Sequence, residues 1–246
     1  MRLKVNKKFS LIIPTRGRIA SLNRCLRSFF DKAKDASCLE CVMLADFDDK
    51  AMMNFGDYIN EKFSGRVIFG NRSAQMIQDY NNYGAQCSTG KYIWMLNDDY
   101  EMTMDNWDEF LENKIEEFLL DKPDRIVYVH LDDSTHTNWG VTETHGCCCP
   151  VLTHETVDTM NSIMPNEIDM WGADIALFQI FKSLPYNRIL DVIKDLRVLH
   201  HCRHNNTAKV DDNSRRIEKI SKRTVLTDKE FQNYVKLLTD RIKNEL

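Results

Sequence analysis

Residues 82–99 read NYGAQCSTGKYIWMLNDD, and this stretch decides the fold. Its centre, Tyr92–Leu96, is a short apolar run of the kind that forms a buried strand. A helical pattern over Ser73–Cys87 precedes it, and the run stops abruptly at Asn97-Asp98-Asp99. The stretch therefore predicts a helix, a turn and a buried strand whose carboxyl end carries acidic side chains.

The same alternation of strand and helix continues on both sides of this stretch. Apolar residues recur at helical spacing from Ile19 to Phe30, and another helix is predicted over Asp105–Leu119. Strands are predicted at Phe9–Ile13, Val42–Leu44, Arg66–Phe69, Tyr92–Leu96 and Ile126–Leu131. Because strands that alternate with helices form βαβ units, we expect an α/β fold with a mostly parallel sheet flanked by helices.

Three of the predicted strands end in polar clusters. Thr15-Arg16 follows the first strand, Asp46–Asp49 follows the second, and Asn97–Asp99 follows the fourth. In open parallel sheets, ligands bind beyond the carboxyl ends of the strands. We therefore expect one ligand to contact all three clusters at this edge of the sheet.

The pair Asp98-Asp99 is suited to holding a divalent cation. Mg²⁺ and Mn²⁺ prefer oxygen ligands, and a cation between two phosphates neutralises the charge of a departing diphosphate. The alternative interpretation is a loop of solvated acids that caps the next helix. The run Cys147–Cys149 also resembles a metal site, but adjacent strand residues point to opposite faces, so these cysteines are interpreted as small buried hydrophobic residues.

The pattern is looser after about Trp139. Further elements are predicted as a strand over Gly146–Leu152, helices over Glu155–Ile163 and Ala173–Phe181, and a strand over Leu196–Leu199 that leads to His200, His201 and His204. A capping box at Thr227–Glu230 opens a final amphipathic helix. We expect one domain over residues 1–204, with a donor half (1–100) and an acceptor half (101–204), followed by a basic linker and C-terminal helix over 205–246.

The composition is that of an ordinary globular protein, with 246 residues, 43% hydrophobic residues and a formal net charge of -4. The N-terminal residues lack the apolar core of a signal peptide, and no stretch approaches the ~20 apolar residues of a membrane span. Eight cysteines without paired spacing fit a reducing compartment. A cytoplasmic protein without a membrane span is therefore expected.

The sequence resembles the family 2 glycosyltransferases, which have the GT-A fold. The resemblance rests on an Asn-x-Gly helix, a small-x-Gly turn, an apolar strand and an acidic motif, all within residues 82–99. Ser10–Arg18 is similar to the opening strand and loop of that family, and Val42–Asp48 to its second strand. These matches cover roughly the first hundred residues.

The resemblance implies a role for each matching residue. Residues implied to bind the nucleotide are Thr15, Arg16, Asp46, Arg72 and Asp98. Asp99 is implied to be the principal ligand of Mn²⁺ or Mg²⁺, and one histidine near the end of the domain, taken as His201, is implied to add a second ligand. Asn97 replaces an acid that many family members carry, which removes one charge from the site.

The general base is expected in the second half of the chain. Met170-Trp171-Gly172-Ala173-Asp174 resembles the family segment that carries it, although Ala173 stands where a companion acid is common. Asp174 is therefore the predicted base, with Asp169 as the alternative. Trp171 is expected to line the acceptor site, because sugar faces stack on aromatic rings.

Together these expectations describe an inverting, metal-dependent glycosyltransferase that moves one sugar from a nucleotide sugar, with UDP favoured, to a hydroxyl group. The acceptor is a glycan, or a hydroxylated DNA base, for which the basic residues between Lys209 and Arg223 supply phosphate contacts. A nucleotidyltransferase is one alternative, but its Gly-rich loop is not found after the first strand. A sugar-binding or nucleic-acid-binding module without activity is the other.

Overall fold

The computed structural model describes residues 7–71, 76–134, 146–164, 173–201 and 228–245. The strands within these ranges are β1 (Phe9–Pro14), β2 (Leu39–Asp46), β3 (Gly65–Gly70), β4 (Tyr92–Met95), β5 (Tyr100–Met102), β6 (Tyr128–His130), β7 (Val151–Thr153), β8 (Ile189–Asp191) and β9 (Val198–His200). Seven of them form one sheet in the order β3-β2-β1-β4-β7-β6-β8, and β5 pairs with β9 separately. The predicted α/β class is confirmed.

Helices connect these strands and cover the sheet. In the described ranges they are α1 (Ile19–Asp31), α2 (Lys50–Phe63), α3 (Met76–Cys87), α4 (Trp107–Phe118), α5 (His154–Met160), α6 (Ala173–Lys182) and α7 (Asp228–Asn244). The apolar spacing that predicted α1 has its physical basis in packing, because Leu22, Leu26 and Phe29 are all buried against the sheet. None of the described helices is both long and apolar enough to cross a membrane.

The first half of the sheet is parallel and deeply buried. β1 lies between β2 and β4 and is parallel to both, and β3 continues the parallel order beyond β2. All eight residues of β2 are buried. A strand covered by helices on both faces has to be apolar throughout, which explains why the apolar run Val42–Leu44 was recognised from sequence. β2 begins three residues before the predicted run, at Leu39. The charged Glu40 is tolerated in this buried strand because its carboxylate accepts hydrogen bonds from the Ser10 hydroxyl and the Thr89 amide.

Three residues of the stretch 82–99 have structural roles. A Cβ atom on Gly84 would lie 2.5 Å from Cγ2 of Ile12, so only glycine lets α3 approach β1 this closely. A Cβ atom on Gly90 would meet the backbone and Oγ of Ser10. Oδ1 of Asn82 accepts hydrogen bonds from the backbone amides of residues 163 and 164, at 2.8 and 2.9 Å. The two glycines therefore let α3 and the turn before β4 pack closely on β1, and Asn82 ties α3 to the segment at residues 163–164.

The second half of the sheet is mixed, and here the sequence predictions were less accurate. β7 is antiparallel to both β4 and β6, while β8 is parallel to β6. The three-residue strands β5 and β8 were not predicted, since they are too short to show a period. The strand predicted over Gly146–Leu152 was wrong in its first part: the amide of Cys148 donates to Asp133 rather than to a sheet neighbour, and β7 begins only at Val151.

The C-terminal helix α7 is present, as predicted. It packs against α5 and α6, with Leu238 and Ile242 fully buried in the contact. The predicted basic linker and the boundary after residue 204 lie outside the described residues, so the division into domains stays a prediction.

The close approach at Gly84 leads to a stability prediction. We expect Gly84→Ala to lower the free energy of unfolding by about 1–3 kcal/mol, because the added methyl group overpacks the contact with Ile12 and Leu44. Gly70→Ala is the matched control, since a Cβ there meets no atom within 4 Å. Urea unfolding of both variants measures the difference, and a Gly84→Ala protein as stable as the control would contradict this account of the packing.

Candidate active site

The candidate site lies at the switch point of the sheet. The chain runs outward from β1 to β3, then returns to place β4 on the other side of β1. Such a reversal opens a crevice beyond the carboxyl ends of the two central strands. Thr15, directly after β1, reaches across this crevice and donates a hydrogen bond from Oγ1 to Oδ2 of Asp98, at 2.6 Å.

Asp98 is a fully buried carboxylate with a cationic partner. Arg18 approaches it with two nitrogens: Nε lies 2.9 Å from Oδ2, and Nη2 lies 2.7 Å from Oδ1. Burial raises the pKa of Asp98 to about 6, although Arg18 and the Thr15 hydroxyl both act to lower it. A buried charge is tolerated only when such groups surround it. Thr15 and Arg18 therefore stabilise the Asp98 carboxylate in its buried position.

Asp99 is paired differently. Nε2 of His200 lies 3.3 Å from its Oδ1, and Nη1 of Arg18 lies 3.8 Å from its Oδ2. Burial acts to raise the pKa of Asp99, but the hydrogen bond and charge of His200, together with Arg18, outweigh it and hold the pKa below the usual value. The carboxylate is therefore kept ionised beside an imidazole.

The small sheet of β5 and β9 brings this histidine to the site. Tyr100 pairs with His200 in the antiparallel register, and their rings stack with centroids 4.3 Å apart. The amide of His201 donates to the carbonyl oxygen of Asp99, but its imidazole Nε2 lies 2.7 Å from Oε2 of Glu101. The geometry therefore favours His200 over the predicted His201 as the histidine beside Asp99.

The side chains of Asp99 and His200 suit a divalent cation, but they would provide only some of its ligands. No group of three or more His, Cys, Asp or Glu side chains arranged for a metal ion occurs within the described ranges. Oδ1 is buried in both acids: in Asp98 it lies 2.7 Å from Nη2 of Arg18, and in Asp99 it lies 3.3 Å from Nε2 of His200. Asp99 and His200 are the pair that could offer an oxygen and a nitrogen to a divalent cation, and further ligands would have to come from a bound ligand or water.

A second cluster lies at the end of β2. Asp46 is buried; its Oδ2 lies 2.5 Å from Nη1 of Arg16, and Tyr80 donates its hydroxyl to Oδ1. Arg16 also contacts Asp48 through two nitrogens, and these hydrogen bonds raise the pKa of the guanidinium above its usual value. The structure thus brings Thr15, Arg16 and Asp46 to the same edge of the sheet as the acidic pair.

Asp49 has a structural role next to this cluster. Its Oδ1 accepts from the amides of Ala51 and Met52 at the start of α2. Its Oδ2 accepts from the amide of Gly17, at 2.7 Å. Gly17 has a φ of +65°, a conformation that favours glycine. One carboxylate therefore caps α2 and also anchors the loop that carries Arg16 and Arg18.

Asp174 lies in the first turn of α6 and is half-buried. Burial raises the pKa of the Cys148 thiol well above its usual value, and the charges of Asp174 and Asp133, together with a hydrogen bond from the thiol to Asp174, act in the same direction. Asp133 accepts the Cys148 amide, and the neighbouring Ser134 accepts the amide of His200 at 2.8 Å. A chain of contacts therefore leads from the region of Asp174 to His200 and Asp99.

Arg72, Asp169, Trp171 and His204 lie outside the described residues, so their predicted roles stay predictions. The structure adds three residues that the sequence did not single out: Arg18, Tyr80 and Asp133. Arg18 follows Arg16 by two positions in the same loop, and the resemblance implied a role for Arg16 alone. Tyr80 and Asp133 are separated from their partners by 34 and 15 residues, so no local pattern connects them.

A switch-point crevice with a buried acidic pair and a second acid at the neighbouring strand end is the arrangement of the GT-A fold, the class of the nucleotide-sugar glycosyltransferases. The family model described as Glycosyl transferase family 2 matches residues 10–170, and the chain belongs to this family. A comparison with curated protein sequences gave no significant match.

Solved structures show the same fold at low sequence identity. TarS 1-349 of S. aureus in complex with UDP has a TM-score of 0.62 and 13% identity, over 94% of this chain and 70% of TarS 1-349. The same TarS fragment with UDP-GlcNAc has a TM-score of 0.60 and 14% identity, over 95% and 72% of the two chains. The mannosyltransferase PcManGT of Pyrobaculum calidifontis, with GDP-Man and Mn²⁺, has a TM-score of 0.62 and 12% identity, over 96% and 70%.

Proposed function

We propose that the protein is an inverting, divalent-metal-dependent glycosyltransferase that transfers one sugar from a nucleoside diphosphate sugar to a hydroxyl acceptor. The observation that carries the proposal is the pairing of Asp99 with His200, beside Asp98, at the switch point of a family 2 fold. The related structures contain UDP, UDP-GlcNAc or GDP-Man with Mn²⁺, which supports a nucleotide sugar as donor. UDP is favoured as the nucleotide.

The donor is held by residues at three strand ends. Thr15, Arg16 and Asp46 bind the nucleoside, and Asp98 accepts hydrogen bonds from ribose or sugar hydroxyls. Arg72 is proposed to contact the base or a phosphate. Asp99 and His200 hold Mn²⁺ or Mg²⁺, which supplies charge neutralisation for the departing diphosphate.

Asp174 is the proposed general base. In a single displacement its carboxylate takes the proton of the acceptor hydroxyl as that oxygen forms a bond to the anomeric carbon. The bond from the anomeric carbon to the diphosphate oxygen breaks in the same step, and the configuration inverts. Trp171 is proposed to stack on the acceptor. Asp133, which accepts a hydrogen bond from the Cys148 amide, adds negative charge near the base.

The acceptor is proposed to be a carbohydrate. A hydroxylated DNA base stays the second candidate because of the basic residues between Lys209 and Arg223, which are outside the described part of the chain. A nucleotidyltransferase is disfavoured by the family match. We also propose a cytoplasmic location, because eight cysteines without paired spacing fit a reducing compartment.

The nucleoside role of Asp46 gives the first functional prediction. Asp46→Asn removes a buried charged acceptor, which is worth about 1.5–3 kcal/mol, so UDP affinity should fall about 10-fold or more. Asp48→Asn is the control, since Asp48 pairs with the same Arg16 but is exposed. Isothermal titration calorimetry measures both affinities. Equal affinities in the two variants would mean that Asp46 does not bind the nucleotide.

The metal role of His200 can be tested against its neighbour. His200→Ala should weaken Mn²⁺ binding in the presence of UDP by at least about 10-fold, because a ligand beside Asp99 is lost. His201→Ala should bind Mn²⁺ as wild type does, since its imidazole contacts Glu101 instead. EDTA should abolish transfer by the wild type, and Mn²⁺ should restore it. A larger loss in His201→Ala would assign the metal to the sequence-predicted histidine.

The base is tested by a substitution that keeps its shape. Asp174→Asn should reduce transfer by about 10²–10⁴ and leave UDP binding unchanged, because basicity is lost but not volume. Asp169→Asn is the control and should retain most activity. Rates with a nucleotide sugar and calorimetry with UDP measure the two effects. An inactive Asp169→Asn beside an active Asp174→Asn would place the base at Asp169.

A further inference from the structure

Arg18 is placed between the two carboxylates of the acidic pair. Its guanidinium contacts both oxygens of Asp98 at 2.7 and 2.9 Å, and its third nitrogen faces Oδ2 of Asp99 at 3.8 Å. The backbone of Arg18 is fixed at the start of α1, where its carbonyl accepts from the amide of Leu22. Its side chain is 35% exposed.

A cation bound by Asp99 therefore has a positive charge as its neighbour. Like charges at such short separation repel one another, and a divalent ion doubles the repulsion relative to a monovalent one. Arg18 also neutralises Asp98, so the two acids and Arg18 together present a net charge of about -1 to the metal. The arrangement therefore disfavours binding of a divalent cation in the absence of the donor.

The diphosphate of a donor changes this balance. It brings at least two negative charges to the same crevice, together with oxygen ligands that complete the coordination of the cation. A guanidinium also binds phosphate oxygens with two parallel hydrogen bonds. Arg18 is in place for such a contact, since it follows β1, pairs with Asp98 after β4 and keeps 35% of its side chain exposed.

We propose that Arg18 makes binding of the divalent cation at Asp99 conditional on the diphosphate of the donor. In this inference, which rests on the proposed function, Arg18 is a positioning residue: it opposes the cation while the crevice is empty and favours the ternary complex once the diphosphate is present. Because coupling between two ligands is reciprocal, the cation strengthens diphosphate binding by the same factor. A merely structural Arg18 would stabilise Asp98 and leave this coupling unchanged.

The experiment measures Mn²⁺ affinity with and without UDP by electron paramagnetic resonance of free Mn²⁺. The fraction of Mn²⁺ bound by UDP in buffer is subtracted. Wild type is compared with Arg18→Gln, Arg18→Lys and the control Arg27→Gln, which removes one exposed charge from the same helix α1. Thermal unfolding of each protein shows which variants are folded before binding is measured.

We expect Arg18→Gln to bind Mn²⁺ alone about 10-fold more tightly than wild type, since about 1.4 kcal/mol of repulsion corresponds to that factor. The gain in Mn²⁺ affinity caused by UDP should shrink by the same factor. Arg18→Lys keeps the charge but loses the planar guanidinium, so its affinity for Mn²⁺ alone should rise about threefold. This variant tests the proposal if Arg18→Gln does not fold. Arg27→Gln should match wild type.

Two results would overturn the inference, and they differ in what else they overturn. Folded Arg18 variants that bind Mn²⁺ alone no more tightly than wild type would show that Arg18 only stabilises Asp98, while the proposed transferase function would stand. A wild type that binds no Mn²⁺ even with UDP would contradict both the inference and the metal dependence in the proposed function.

Discussion

The burial of Asp98 is the constraint on which the rest of the site depends. A carboxylate without exposure is costly unless cationic and hydrogen-bonding groups surround it. Thr15 and Arg18 provide these groups from the loop after β1, so the need to satisfy one side chain ties the end of β1 to the end of β4. The loop itself is held by Asp49 through the amide of Gly17. Neutralising Asp98 thus organises the edge at which the donor is proposed to bind.

The stretch that resembles the family serves packing as much as chemistry. Gly84 allows α3 to contact β1, Gly90 allows the following turn to contact Ser10, and Asn82 binds the backbone of a segment about 80 residues away. None of these three residues is proposed to contact the donor. The two glycines let the segment that leads into β4 pack closely on β1, and β4, which is parallel to β1, ends just before Asp98 and Asp99.

The two halves of the chain meet at the acidic pair. Asp98 is satisfied from the first half, by Thr15 and Arg18, whereas Asp99 is paired with His200 from the second half. Short contacts through Ser134, Asp133 and Cys148 then extend toward Asp174. One network of contacts therefore connects the residues proposed to bind the donor with the proposed general base.

The sequence by itself determined the fold class, the strands of the first half and the three polar clusters at their ends. Apolar periodicity and strand-end polarity are local properties, so they can be read from neighbouring residues. The pairing of His200 rather than His201 with Asp99 depends on the antiparallel register of β5 and β9, two strands of three residues that are about 100 residues apart. Likewise, Arg16 and Arg18 lie two positions apart in the same loop, and only the tertiary structure directs one to Asp46 and the other to Asp98. Only the tertiary structure determines which of these side chains pair, because the pairing depends on packing between residues far apart in the sequence and no local pattern predicts it.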